Sequence, residues 1–171
     1  MDLKKYIRDI PDFPQKGILF RDITPLLADK DAFKYAVKAI ADHFKDKGIE
    51  KVAGIEARGF IIGAPVAAEL GVGFVPIRKP GKLPFEVVRK EYQLEYGMSI
   101  LEVHKDAVKK GEKVLMIDDL LATGGTAHAA SELIEQLGGD IVGWGFVIVL
   151  KGLKGAEKLK KYDIFSLIDF D

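Results

Sequence analysis

Residues 114–130 read VLMIDDLLATGGTAHAA: an apolar run, two adjacent acids, then two glycines bracketed by threonines. The backbone N–H groups that open a helix lack partners within it and sit at the positive end of its dipole, so a loop feeding a helix start suits a phosphate. The loop from Ala122 to Thr126 turns into such a helix start: Gly124 and Gly125 let main chain turn and come close, and Thr123 and Thr126 add hydroxyl donors. Asp118 and Asp119 cannot bind that same anion. They suit the hydroxyls of a vicinal diol, or a share in a divalent cation. A phosphate at one end and a diol at the other describes a ribose 5-phosphate. A capped, tightened turn would explain a lone acid pair or a lone glycine pair. The two together, between an apolar run and an amphipathic stripe, favour the ligand site. The spacing does not match GxxxxGK[ST] and no lysine follows the glycines, which argues against a nucleoside-triphosphate loop.

Composition removes other chemistries. The 26 basic and 26 acidic residues cancel, so no bulk field draws the chain to nucleic acid or to an anionic membrane. There is no cysteine, hence no disulfide scaffold, thiol nucleophile or Cys-zinc site. No apolar run reaches the length of about 18 residues that a membrane helix needs, and the N-terminus lacks a signal-type apolar region; a cytoplasmic protein is expected. His43, His104 and His128 have no metal-binding spacing. His43 reads as structural, on an ordinary amphipathic helix, and His128 as a surface residue one turn into the phosphate-loop helix.

The elements that must position the motif follow from apolar patterning. Short, β-branched runs at 51–57, 72–78, 113–118 and 141–150 predict buried strands, with a weaker fifth at 163–169. Phe33, Val37, Ile40 and Phe44 share one helical face, closed by Gly48. Ala127, Ala130, Leu133, Ile134 and Leu137 make a second stripe, and residues 60–70 a third helix in which Pro65 belongs near the first turn or at a kink. Strands alternating with helices imply a parallel sheet covered on both faces, with ligands beyond the carboxyl ends of its strands. Asp118 and Asp119 are expected at that edge. Residues 79–103 break the alternation. Tyr92, Leu94 and Tyr96 alternate with Glu91, Gln93 and Glu95, the period of a two-faced antiparallel strand that would lie as a flap over the site. No repeat or linker divides the chain, so residues 1–171 are expected to form one domain.

VLMIDDLLATGGT resembles the sugar-pyrophosphate motif of the type I phosphoribosyltransferases, which by itself leaves the base open. FPQKGILFRDITPLL (13–27), GIEARGF (54–60), IRKPGKLP (77–84) and LEYG (94–97) narrow the resemblance to the family's adenine-specific branch, from about Leu3 to the C-terminus. The resemblance implies an α/β fold of the type I phosphoribosyltransferase kind: a mostly parallel, Rossmann-like sheet flanked by helices, an N-terminal base-binding hood over 1–30 and an antiparallel flap over 79–103. It implies transfer of a phosphoribosyl group from 5-phosphoribosyl 1-pyrophosphate to adenine, giving AMP and pyrophosphate in purine salvage. Mg²⁺ would be bound mainly through the substrate, and the enzyme would be a homodimer.

Residue roles follow from the same resemblance. Asp118 and Asp119 face the ribose hydroxyls, and residues 122–126 hold the 5-phosphate. Arg58 belongs to the pyrophosphate site, beside a cis peptide expected at Glu56–Ala57. Arg78, Lys79 and Lys82, which alone fit a solvated loop equally well, become pyrophosphate contacts, Lys79 least firmly. Phe20 lies against the base, whose edge is read by main chain near Phe20 and Arg21. Glu95 exchanges a proton with the purine's imidazole ring, and Tyr96 lies nearby. Pro80 and Phe85 depart from the pattern and bear on flap motion. The competing readings are transfer to xanthine or guanine, and a regulator that keeps the fold without catalysis. FRDITPLL and LEYG argue against the first. The base-site motif ahead of the first core strand, with the balanced charge, argues against the second.

Overall fold

The structure is a computed structural model and describes residues 1–94 and 97–171. Its strands are β1 (Arg8–Ile10), β2 (Phe20–Asp22), β3 (Lys51–Ile55), β4 (Gly73–Ile77), β5 (Val87–Leu94), β6 (Gly97–His104), β7 (Lys113–Leu121), β8 (Asp140–Leu150) and β9 (Asp163–Phe170). The α-helices are α1 (Thr24–Ala28), α2 (Lys30–Phe44), α3 (Arg58–Leu70) and α4 (Gly125–Gln136).

Five strands form a parallel sheet in the order β4-β3-β7-β8-β9. From β3 the chain passes through α3 to β4 on one side, then returns to β7 on the other, so the winding direction reverses between β3 and β7. That reversal opens a crevice at the carboxyl ends of the strands. Side chains of β7 alternate between two cores. Val114 and Met116 pack with α4 on one face, while Leu115 and Ile117 pack with α2 and α3 on the other. Trp144 is fully buried, and its indole N–H donates to Ser131 Oγ (3.0 Å), which itself donates to the Ala127 carbonyl (2.9 Å). A polar pair thus locks α4 to the sheet without an unsatisfied group.

All five expected sheet strands are present, the weak fifth included, and several boundaries differ. β7 runs on to Leu121 because β8 continues to pair with it after β3 has stopped, the last β3 partner being Ile117. Asp118 and Asp119 therefore lie within a strand, at the point where one neighbour has left it. α3 begins at Arg58, two residues earlier than its apolar stripe indicates. Pro65 sits in the interior of α3, where it removes one helical hydrogen bond; Ile61, whose carbonyl loses its partner, is on the exposed side. β5 and β6 form the antiparallel pair expected within 79–103, and β1 and β2 make a second, short one.

Candidate active site

The crevice between β3 and β7 is a cleft of about 390 Å³. Glu56, Ala57 and Arg58 enter it from the β3–α3 turn, where the Glu56–Ala57 peptide is cis as expected. Asp118, Asp119 and residues 122–126 enter from β7 and the loop after it, while Lys79, Tyr92 and Leu94 close other sides. Most of the residues singled out in the sequence therefore share one wall-to-wall site.

Asp119 is buried and accepts a hydrogen bond from Arg58 Nε at 2.5 Å. Burial works against the Arg58 charge, but Asp119, with help from Asp118 and Asp22, outweighs it and holds the guanidinium more firmly protonated. Asp118 is in the opposite position. Desolvation and the neighbouring Asp119 charge push its carboxyl well above the usual carboxylate range, against the Asp119 backbone N–H that it accepts at 2.8 Å. Two adjacent acids thus sit in different electrostatic surroundings, one paired with a cation and one whose charging is disfavoured. Gly59 makes the room for this: a Cβ there would stand 2.9 Å from Asp118 Oδ1.

Beyond the acids, Gly124 takes the left-handed backbone (φ +89°) and caps α4. Among the described residues, the first helical bond to this cap comes from the His128 N–H to the Gly124 carbonyl at 2.9 Å, so the preceding N–H groups remain available at the cleft. Gly125 needs no special backbone. The nearest atom to a Cβ there is the Gln93 carbonyl oxygen at 3.7 Å, so a side chain would enter the cleft, not the protein. The Thr126 hydroxyl meets Tyr92 OH at 3.4 Å, bringing β5 over the helix start. Lys90 Nζ reaches Glu132 on α4 at 2.6 Å, and His128 meets the same carboxylate at 2.6 Å, on the surface as expected.

The remaining predicted residues fall around the rim. Arg78 Nε donates to Glu56 Oε1 at 3.1 Å and the Lys79 N–H donates to the same oxygen at 2.9 Å. Partial burial opposes the Glu56 charge, but these donors and the charge of Lys82 hold its carboxyl below the usual range. Lys82 itself is exposed. The Phe20 ring lies 5.4 Å from the Arg58 guanidinium and packs edge-on against Phe13 at 5.1 Å. The Arg21 side chain turns elsewhere, to Asp9 and to the Phe170 ring, leaving only its main chain for a base. Pro80 and Phe85 are both exposed, and the Phe85 N–H donates to His104 Nε2 at 3.2 Å. Glu95 and Tyr96 lie outside the described residues.

Residues 25–171 match the phosphoribosyl transferase domain family. The chain belongs to that family. Its five-strand parallel sheet with flanking helices and antiparallel pairs is the type I phosphoribosyltransferase arrangement. A curated relative, the adenine phosphoribosyltransferase of Halothermothrix orenii, is 60% identical over 98% of this chain and 99% of its own. The solved adenine phosphoribosyltransferase of Thermoanaerobacter pseudethanolicus superposes with a TM-score of 0.96 at 53% identity, covering 99% of this chain and 98% of that one. The Saccharomyces cerevisiae enzyme, solved with an imino-altritol bisphosphate and adenine, gives 0.92 at 40% identity over 97% and 96%.

Sequence reasoning missed several residues that build this phosphoribosyltransferase site. Asp22 accepts from both the N–H (2.9 Å) and hydroxyl (2.8 Å) of Thr24, tying the end of β2 to the first residue of α1. The pattern D-x-T-P was the available signal. Glu102 is almost fully buried and holds the Gly81 N–H (3.1 Å) and Arg89 (2.5 Å), tying the basic loop to the β5–β6 pair. Nothing local in the sequence marks Glu102; Glu56 and Gly59 fall inside GIEARGF, but their partners Arg78, Lys79 and Asp118 lie in other segments of the chain.

Proposed function

We infer that this chain transfers the 5-phosphoribosyl group of 5-phosphoribosyl 1-pyrophosphate to adenine, giving AMP and pyrophosphate, a purine-salvage reaction. The observation that carries this reading is the convergence of a helix start, an acid pair and an arginine on one cleft, in a chain whose relatives are adenine phosphoribosyltransferases.

The 5-phosphate sits on residues 122–126, and Asp118 and Asp119 take the ribose hydroxyls. As the C1–O bond to pyrophosphate lengthens, positive charge grows on the sugar and the acid pair opposes it. The bonding electrons leave with pyrophosphate, which Arg58, Arg78, Lys79 and Lys82 receive. Arg58 then exchanges Asp119 for the leaving group. Adenine N9 forms the new bond to C1 and gives up its proton to Glu95. Phe20 stacks on the base, Tyr96 lies nearby, and main chain at Phe20 and Arg21 reads the base edge. Among the described residues no three acidic or histidine side chains form a metal cage. Asp118 and Asp119 would share in holding a Mg²⁺ that is bound mainly through the substrate, and the ion would neutralise pyrophosphate charge.

The reading includes a single domain with residues 1–30 as base-binding hood and 79–103 as flap. It includes a homodimer, supported by the exposed apolar stripe of Ile61, Ala64 and Ala68 on α3, and a cytoplasmic location. No helix among the described residues is long and apolar enough to cross a membrane. Pyrophosphate release from adenine plus 5-phosphoribosyl 1-pyrophosphate is expected only when Mg²⁺ is present. Absence of release with both substrates and Mg²⁺ contradicts the proposal.

A further inference from the structure

The loop between β7 and α4 has a second side, away from the cleft, and that side rests on main chain from the turn after β8. A Cβ on Gly124 would stand 2.7 Å from the Gly155 carbonyl oxygen. A Cβ on Gly155 would fall 2.3 Å from the Ala122 carbonyl oxygen, 3.0 Å from the Gly124 nitrogen and 3.1 Å from Leu121 Cδ1. Gly155 does not adopt the left-handed backbone, so its own conformation does not require glycine. The close approach of the loop does.

The turn that carries Gly155 is fixed. The Lys154 N–H closes on the Lys151 carbonyl at 3.0 Å and the Glu157 N–H on that of Lys154 at 3.1 Å. Leu159, at the end of the same turn, is fully buried in the core that contains Ala127 and Ala130 of α4. Thr123, by contrast, is exposed at the crest of the loop. When the two compete for space, the loop gives way. We propose that Gly155 is a positioning residue: its bare main chain sets, from behind, the shape in which residues 122–126 meet the sugar 5-phosphate. The inference rests on the reading of that loop as the phosphate cradle.

Three variants test it. Gly155→Ala adds the offending methyl. Gly152→Ala, three residues away, places a Cβ no closer than 3.5 Å to any atom outside its chain neighbours and serves as control. Gly125→Val obstructs the cradle directly. Gly155→Ala is expected to raise KM for the sugar pyrophosphate and Kd for ribose 5-phosphate by about 10- to 100-fold, the scale of an ångström-sized misplacement. KM for adenine should move less than about 3-fold, because the displaced loop holds the sugar phosphate and not the base. A general loss of folded structure would weaken both substrates alike. Wild-type sugar affinity in Gly155→Ala, an equal loss for adenine, or an equal effect in Gly152→Ala overturns the proposal. If Gly125→Val keeps wild-type affinity, the cradle reading itself fails; if it loses affinity and Gly155→Ala does not, only the positioning role fails. Should Gly155→Ala not fold, hydrogen exchange on the unaltered protein decides. Ribose 5-phosphate should slow exchange in 151–159 together with 121–127, and no change in 151–159 overturns the proposal.

Discussion

Arg58 and Arg21 each meet an aspartate at 2.5 Å, and the two pairs do opposite things. Arg21 joins Asp9 across the β1–β2 pair, with Asp9's side chain 55% exposed and the guanidinium face against Phe170 at 3.9 Å. It is a pin: water screens the charge, and the stacked ring fixes the geometry. Arg58 joins Asp119, whose side chain is only 10% exposed and which has a second carboxyl beside it. There the carboxylate is the partner withdrawn from water, while the half-exposed guanidinium faces the cleft where a charged substrate is proposed to bind. Distance alone does not separate a structural ion pair from a functional one; surroundings do.

Breaking the two pairs should give very unequal results. Asp119→Asn is expected to cut kcat by about 10²-fold or more, as for removal of one preorganised electrostatic group. Asp9→Asn should leave kcat near wild type and cost at most about 1 kcal/mol in chemical denaturation. The third variant sharpens the contrast within the acid pair. The folded carboxyl of Asp118 is held above its unfolded value, so it favours folding at low pH and burdens the folded state as pH rises. Asp118→Asn should therefore raise Tm at pH 7 by about 2–4 °C, the value of roughly 1 kcal/mol in a chain of this size, while lowering kcat. At pH below the ordinary carboxylate range the gain should vanish.

The smallest effect belongs to a pair outside the cleft. Asp163 on β9 meets Lys47 at 2.9 Å and His43 at 3.0 Å beside α2. Partial burial opposes its charge, but Lys47 and His43 outweigh that and hold the carboxyl below its ordinary range. Its contribution is present above the unfolded value and lost as pH falls through the folded one. Asp163→Asn should lower stability at pH 7 by less than about 1 kcal/mol, and melts at acidic pH should no longer distinguish it from wild type.

The contrast also marks what a sequence can disclose. The sheet strands were legible because each is a short apolar run, and α2 and α4 because their stripes keep a helical period. The acid pair and the glycine loop were legible because all their parts fall within a few residues. Arg58 and Arg21 look alike in sequence, each following or lying in an apolar stretch, and only Asp119 and Phe170 tell them apart. Gly124 and Gly125 look interchangeable, yet only Gly124 has the left-handed backbone and a neighbour at its back. His43 was legible as structural from its helix, but its stacking on Phe165 at 4.3 Å and its bond to Asp163 join residues over a hundred positions apart. Long-range pairing is what local patterning does not carry.

This cleft is expected to transfer phosphoribosyl to adenine and not to another purine. Adenine presents a donor at its six-position where hypoxanthine presents an acceptor, and the adjacent ring nitrogen swaps role the opposite way. Stacking on Phe20 favours either base about equally, so selectivity must come from hydrogen bonds that main chain cannot rotate to suit both. Steady-state assays with adenine, hypoxanthine and guanine at fixed sugar pyrophosphate and Mg²⁺ measure this directly. kcat/KM for adenine is expected to exceed the other two by at least roughly 10³-fold, within what mismatched buried polar groups can deliver. Comparable values for hypoxanthine would contradict the adenine assignment, even with the fold and the phosphate loop intact.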